Sequence, residues 1–372
     1  MATETVRRGA RWLGRGALAV VVGALFSTAL VPPFLDRIYY RGPVSDHFDG
    51  ERFFNPEGEP PEADDRREER GPARMIRFMR GRDRATWPVR VPVTQTVPPR
   101  RVDGERMVVT WIGHSTVLVQ TAGLNILTDP IWSDRASPVS WAGPKRVRAP
   151  GVRFADLPRI DLVLLSHNHY DHLDLDTLQR LWARDRPRIV TPLGNDTILR
   201  GAGIPATARD WNERVAIRPG VEVVVERVHH WGSRFLKDRN RALWGGFTVT
   251  LPGGNLFFAG DTGLGDGRWI QLAAAHGPHR LAILPIGAFQ PREIMRGSHV
   301  DPAEAAAIFQ RLGAGTGLAV HWGTFQLSEE PIDAPPERLA AGMAALGLDP
   351  ARFAAHEVGQ SVTVPRLGST AL

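Results

Sequence analysis

Short apolar blocks separated by turn formers begin at Met107 and recur along the rest of the chain. The first group reads "MVVTWI", "STVLVQT", "LNILTD" and "IDLVLLS", rich in the β-branched and aromatic residues that suit a pleated surface. "DLDTLQRLWA" then changes to helical spacing, and "RIVTPLG" returns to a strand that ends at a glycine turn. A second group follows the same plan: "VEVVVERV", "LWGGFTVTL", a turn at Pro252-Gly253-Gly254-Asn255, then "LFFAGDTG" and "LAILPIGA". In "DPAEAAAIFQRLGAG", Asp301 is placed to cap a helix, Pro302 to open it and Glu304 to complete a capping box, with glycines at its end. The strand "GLAVHWG" comes next. Two successive sets of strands and helices predict an α/β fold of two packed sheets with helices outside.

Upstream of Met107 the pattern is different. Residues 46–105 are rich in Pro, Arg and Glu, and "EGEPPEADDRREERGP" has little to bury, so residues 37–105 read as a linker or wrapping arm ahead of a domain spanning 106–372. Residues 1–36 differ again. Arg7, Arg8, Arg11 and Arg15 precede "GALAVVVGALFSTALVPPFL", an uncharged stretch whose helix would be stopped by Pro32 and Pro33. A basic flank before such a stretch predicts a signal sequence or a membrane anchor, the rest of the chain being exported to the outer face or periplasm. The expected protein is therefore membrane-associated.

Composition narrows the chemistry. The chain has no cysteine, so a metal site must use His, Asp or Glu. The net charge of +6 is carried almost wholly by arginine, Lys145 and Lys237 being the only lysines, and the arginines are dispersed without an aromatic-basic repeat. Nucleic acid is therefore not an expected partner. Composition does not address oligomeric state, and a homodimer is left open.

The densest chemistry is "SHNHYDHLD", which follows the apolar run "IDLVLL". His167 and His169 are two residues apart, so an extended backbone points both to one side; a turn into the next helix brings Asp171 and His172 to a second point. Two metal ions could sit side by side there. Further candidate ligands stand where other strands leave their blocks: His230 after "VEVVVERV", Asp261 in "FFAGD" and His321 in "AVHWG". Asp129, in "LTDP", is placed to hold a ligating imidazole by its far nitrogen, with a plain turn aspartate as the alternative. His114, in "GHST", is expected to support a ligand or simply the structure.

These motifs resemble the metallo-β-lactamase fold superfamily, and more narrowly its N-acyl-phosphatidylethanolamine-hydrolysing phospholipase D branch. The resemblance is carried by "HSTVLVQ", "LTDPIWSDRASPVSWAGPKR", "LPRIDLVLLSHNHYDHLD", "HHW", "LWGGF", "FFAGDTG", "PIGAF", "HVDPAEA" and "HWGTF", in that order over roughly residues 105–330. It implies a four-layer αββα sandwich with two Zn2+ at the sheet edges. One ion would be held by His167, His169 and His230, the other by Asp171, His172 and His321, with Asp261 bridging; Asp171 and Asp261 would serve catalysis as well as binding. The ligand types alone leave Mn2+ and Fe2+ open. A hydroxide shared by the ions would cleave a phospholipid phosphodiester, yielding phosphatidic acid and an N-acylethanolamine. The chain departs from the branch at Phe289-Gln290, where Tyr-Glu is common, and at His229, where Gln is common.

The segment "IWSDRASPVSWAGPKRVR" combines Trp132 and Trp141 with Lys145, Arg146 and Arg148. Such a mixture suits a membrane surface and phospholipid headgroups, or an ordinary loop packing its tryptophans on the sheet. His299, in "GSHVDP", is expected either as a polar substrate contact or in capping the helix that follows. A lactonase or another hydrolase of the same fold is the alternative activity. A non-catalytic zinc-binding envelope protein is the alternative of another kind, and it predicts a closed four-ligand site.

Overall fold

The computed structural model describes residues 36–58, 72–235 and 237–368, together with Leu18, Val22 and Gly23. The expected leader or anchor, residues 1–36, lies outside these residues apart from those three and Asp36. Among the described residues no helix is long and apolar enough to cross a membrane.

The first half of the domain supplies β1 (Met107–Gly113), β2 (Thr116–Thr121), β3 (Leu124–Thr128), β4 (Leu162–Leu164), β5 (Arg188–Pro192) and β6 (Thr207–Arg209). The second supplies β7 (Arg214–Arg218), β8 (Val221–Glu226), β9 (Gly246–Val249), β10 (Asn255–Phe258), β11 (His279–Pro285), β12 (Thr316–Val320) and β13 (Phe353–Ala354). A last strand, β14 (Ser361–Val364), returns to the first half and pairs with β1. The outcome is two seven-stranded sheets, ordered β14-β1-β2-β3-β4-β5-β6 and β13-β12-β11-β10-β9-β8-β7. In the first sheet β1, β2 and β3 pair antiparallel and β3 to β6 parallel. The second has the same division, antiparallel from β7 to β10 and parallel from β10 to β13.

The uninterrupted apolar runs follow from burial on both faces. Along the first sheet Val109, Trp111, Val117, Val119, Ile126, Leu162 and Leu164 enter the core between the sheets. Their alternates Ile112, Leu118, Leu127, Val163 and Leu165 pack outward against Leu178 and Leu181 of α2 (Leu175–Asp185). The second sheet is covered on its outer face by α4 (Arg268–Ala275), α6 (Pro302–Leu312) and α7 (Ala334–Ala345), through residues such as Ile270, Phe309 and Met343. The layers are therefore helix, sheet, sheet, helix, the αββα sandwich that the resemblance implies. Smaller helices are α1 (Pro72–Met79), α3 (Asn195–Gly201) and α5 (Arg292–Met295).

Local signals in the sequence have local counterparts. Asp301 accepts from Glu304 N while the Glu304 carboxylate accepts from Asp301 N, a complete capping box, and α6 stops at Gly313 with φ of 63°. Such a cap stabilises a helix by about 1 kcal/mol. Asp174 caps α2 in the same way, accepting from Thr177 N. Residues 36–58 do more than connect: Phe48 and Phe53 are buried in the core between the sheets, and Tyr39 donates its hydroxyl to Asp238 at 2.7 Å.

Candidate metal centre

Every candidate ligand lies just beyond a strand, at one edge of the sandwich. Asp129 follows β3; Ser166, His167, His169, Asp171 and His172 follow β4; His229 and His230 follow β8; Asp261 follows β10; His321 follows β12. His114 occupies the tight turn between β1 and β2. Its carbonyl accepts from His321 N at 3.0 Å, tying the edges of the two sheets together.

Three imidazoles converge first. His167 Nε2 is 2.9 Å from His169 Nδ1, which is 3.4 Å from His230 Nε2. Four zinc ligands at ~2.0–2.1 Å in a tetrahedron stand about 3.3–3.4 Å apart, so these nitrogens sit close to the spacing one ion imposes. A second group holds Asp171, His172, His321 and His114 with ligand atoms within 4.8 Å of one another. Asp171 Oδ2 lies 3.4 Å from both His172 Nε2 and His321 Nε2, and 2.9 Å from His114 Nε2. Asp261 joins the groups: its Oδ2 is 3.0 Å from His321 Nε2, 3.2 Å from His172 Nε2 and 3.9 Å from His230 Nε2.

The far sides of three of the rings, those of His167, His172 and His230, are fixed, as they are in metal sites. Asp129 accepts from Ser166 N at 2.7 Å and from Ser166 Oγ at 2.6 Å, and it pairs with His172 Nδ1 at 2.6 Å. Ser166 Oγ in turn meets His167 Nδ1 at 2.9 Å, and His230 Nδ1 donates to Ser298 O at 2.9 Å. By contrast His172 Nε2, His321 Nε2 and Asp261 Oδ1 are buried without a hydrogen-bond partner in the protein. Inward-facing ligand atoms left unpaired, while the outward nitrogens of His167, His172 and His230 are held and those of His169 and His321 are not, fit a cation at the centre, and an all-nitrogen-and-oxygen set suits a divalent ion.

Charge follows burial. Desolvation drives His167 and His230 well below the usual imidazole range and His169 to about 4, leaving them neutral lone-pair donors. Burial also opposes charge on Asp171 and Asp261, but the field of His172, joined by the bond from His114 at Asp171 and the field of His321 at Asp261, outweighs it and holds both carboxyls well below their ordinary range. Desolvation likewise works against the His321 cation, yet Asp261 and Asp171 push that ring up to about 9. Three residues here take left-handed backbone angles that side chains disfavour: His114 at φ 54°, Asp129 at φ 30° and His321 at φ 61°. Each such residue costs about 1–3 kcal/mol and persists only where its surroundings fix it. Gly287 is one such constraint, since a Cβ there would stand 2.1 Å from His321 O.

The seven expected ligands are thus brought together, with Asp129 and His114 beside them. His299 joins them more closely than its sequence context suggests: its buried Nδ1 is 3.9 Å from Asp261 Oδ2, and Asp301 rather than His299 caps α6. The expected headgroup loop divides. Trp132 turns inward, donating Nε1 to Val152 O at 3.0 Å and packing on Phe154. Arg146 is only 8% exposed, its guanidinium donating to Ser133 O and Ile131 O, and burial lowers its pKa to about 10. Half-buried Trp132 still lines a cavity beside Tyr170, whereas Arg146 is turned away from a headgroup, its guanidinium satisfied by backbone carbonyls. Arg148 is buried in the same way, against Gly323 O and the Trp322 ring. Trp141, 79% exposed, and Lys145 stay at the surface.

Sequence reading missed Ser166, Ser298 and Thr324, whose Oγ1 accepts from His114 N at 2.9 Å. It also missed Glu57, which pairs with His229 Nδ1 at 2.6 Å from the distant arm. Only Ser166 carried a signal, its place directly before the histidine motif. Beside the cluster, Tyr170 lines a cavity of about 750 Å³ with Tyr39, Ile198 and Phe235, and a second of about 490 Å³ with Trp132 and Val139.

Two sheets meeting at a buried histidine–aspartate cluster define a metallo-β-lactamase-fold protein, a class of metal-dependent hydrolases. The Beta-lactamase superfamily domain matches residues 124–322, more than half of the chain, and the chain belongs to that family. It is similar to an uncharacterised protein of Mycobacterium tuberculosis, 40% identical over 253 residues that cover 65% of each chain. It is also similar to the N-acyl-phosphatidylethanolamine-hydrolyzing phospholipase D 1 of Caenorhabditis elegans, 38% identical over 229 residues covering 59% of this chain and 64% of that protein. The match therefore spans a little under two thirds of these relatives' length. Among solved structures, Igni18, a metallo hydrolase of Ignicoccus hospitalis, shares the fold with a TM-score of 0.54 at 21% identity, over 70% of this chain and 99% of that one.

Proposed function

We propose that this chain is a binuclear metallohydrolase, with zinc as its metal, that cleaves the phosphodiester of N-acyl-phosphatidylethanolamine or a related phospholipid to phosphatidic acid and an N-acylethanolamine. The observation that carries the two-ion reading is Asp261, whose single oxygen stands 3.0–3.9 Å from histidines of both groups. A closed single-ion structural site has no use for such a shared carboxylate. The substrate is suggested by the similarity to the nematode phospholipase D.

His167, His169 and His230 would hold one ion, Asp171, His172 and His321 the other, and Asp261 both. When bound, such a pair supplies Lewis acidity toward a phosphoryl oxygen and lowers the pKa of water toward ~7. The chain's own residues do the rest. Asp129 keeps His172 turned inward through Nδ1, Ser166 does the same for His167, and His114 holds Asp171. His299, pushed by burial to about 4, is a neutral ring whose Nδ1 beside Asp261 can hydrogen-bond a phosphoryl oxygen. The protein would work at a membrane surface reached through the N-terminal segment. Zinc-loaded protein incubated with N-acyl-phosphatidylethanolamine, and separately with lactones, tests the reading by product mass. Phosphatidic acid with N-acylethanolamine supports it; turnover of lactones alone overturns it.

A further inference from the structure

Helix α1 shows three of its four large apolar residues to solvent. In "PARMIRFM" the apolar residues Met75, Ile76 and Met79 recur at helical spacing, which ordinarily marks the face a helix buries. Here that face looks into solvent, Met79 being 67% exposed and Met75 and Ile76 about as open as many surface polar groups, at 40% and 43%. The face turned to the protein carries Phe78, half-buried, and an arginine. Arg74 lies across Glu329 at 2.8 and 2.6 Å and reaches Glu293 at 3.1 Å. A helix held down by a multivalent ion pair while showing its apolar side outward is oriented for a second apolar phase.

Its anchors tie it to segments that also carry residues of the metal centre. Glu329 stands on the segment that follows His321, and Glu293 on the short α5 that leads to Ser298 and His299. The loop bearing Trp141 and Lys145 is attached to the same segment, through the bridge between Arg146 and Phe325. Two outward apolar features thus hang from residues 325–329. Their surroundings are cationic: from Pro72 to Arg90 there are six arginines and one acid, Asp83, and Arg77, Arg80, Arg82, Arg84 and Arg90 are exposed. Asp83 is itself paired with Arg74 and Arg77. Apolar side chains rimmed by guanidinium groups match a bilayer interface with anionic headgroups, where the side chains enter the acyl boundary and the cations meet phosphate.

We propose that α1, with Trp141 and Lys145, is a docking surface that seats the metal centre on an anionic lipid surface. It deepens the phospholipase reading, and rests on it only for the identity of the substrate. The absence of cysteine allows a direct test in the full-length chain. A single Met79→Cys variant carries an environment-sensitive fluorophore, and Leu346→Cys is the control; Leu346 ends α7, which starts just past Glu330 and runs about 18 Å from there. With vesicles containing about one third phosphatidylglycerol in phosphatidylcholine, the probe at 79 should shift to the blue and be quenched by nitroxide lipid, while the probe at 346 should not. With phosphatidylcholine alone the shift should be several-fold weaker. No change at 79, an equal change at 346, or a probe at 79 already blue-shifted without vesicles because the chain itself or a second copy covers it, each overturns the proposal.

A second arm separates this surface from the chemistry. The combined Met75→Ser, Ile76→Ser and Met79→Ser variant should lose about tenfold or more in turnover of vesicle-borne substrate and keep its turnover of the same lipid dispersed in detergent. Equal activity on vesicles would contradict docking through α1. Failure of the wild-type chain on every phosphodiester would sink the activity while leaving the fluorescence result to decide the surface.

Discussion

The two sheets have the same size and the same division into antiparallel and parallel halves, yet their contributions to the site differ in kind. The first sheet delivers a contiguous block after one strand, His167 to His172, braced from behind by Asp129. The second delivers single residues from separate strands, His230, Asp261 and His321, with His299 from the turn after α5. A contiguous block fixes ligands relative to one another through local backbone, whereas scattered residues are fixed only when the whole sheet is registered. The first edge is therefore a preformed half-site, and the second closes it. Asp261, from the scattered half, is the group that reaches both clusters.

The largest effect should come from breaking that link. Asp261→Asn should lower turnover at least about a thousandfold and remove bound metal from both positions, while circular dichroism shows an unchanged fold. Asp171→Asn, in the contiguous half, should leave one ion bound, as metal analysis would show; equal metal loss in both variants would erase the distinction between the halves. Next in size is metal removal. Because the site joins the two sheets, a chelator should reduce unfolding stability by about 2.7 kcal/mol per ion lost, at an ion concentration a hundred times Kd, recovered on adding zinc and read by denaturant titration. Asp129→Ala and Ser166→Ala loosen only the first edge, and should weaken metal affinity about 10–100-fold in competition with a chromophoric chelator.

The smallest effect concerns the arm rather than either edge. His47 meets Asp210 at 2.8 Å and Asp46 at 2.6 Å. Burial opposes its charge, but these two carboxylates outweigh burial and raise its pKa above the ordinary 6.5. A group raised on folding stabilises fully below its unfolded pKa and loses that contribution as pH climbs through its folded value. His47→Gln should therefore cost about 1–2 kcal/mol at pH 6 and much less at pH 9, by urea denaturation at the two pH values.

What could be read from sequence follows the same contrast. The strands were legible because sheets buried on both faces leave continuous apolar runs, and α6 because its capping box lies within four residues. The histidine motif was legible because its ligands are neighbours. The distant ligands His230, Asp261 and His321 emerged from their places at strand ends, and the family resemblance then gave them roles. Contacts made only by tertiary closure left no pattern. Glu57 reaches His229 across 172 positions, and Ser298 offers His230 merely a backbone carbonyl, which any residue possesses. The inward turn of Trp132 and Arg146 was hidden for a related reason: an arginine satisfied by backbone oxygens looks in sequence like one aimed at phosphate. The outward face of α1 was equally hidden, since helical spacing shows which residues share a face and not which way it looks.

The central claim is that two divalent ions share Asp261 at the meeting of the sheet edges. Elemental analysis of purified chain, combined with anomalous scattering from its crystals, tests it most directly. Two ions per chain are expected, one among His167, His169 and His230, the other among Asp171, His172 and His321, with Asp261 touching both. A single ion, none, or two ions with Asp261 bound to neither would contradict it.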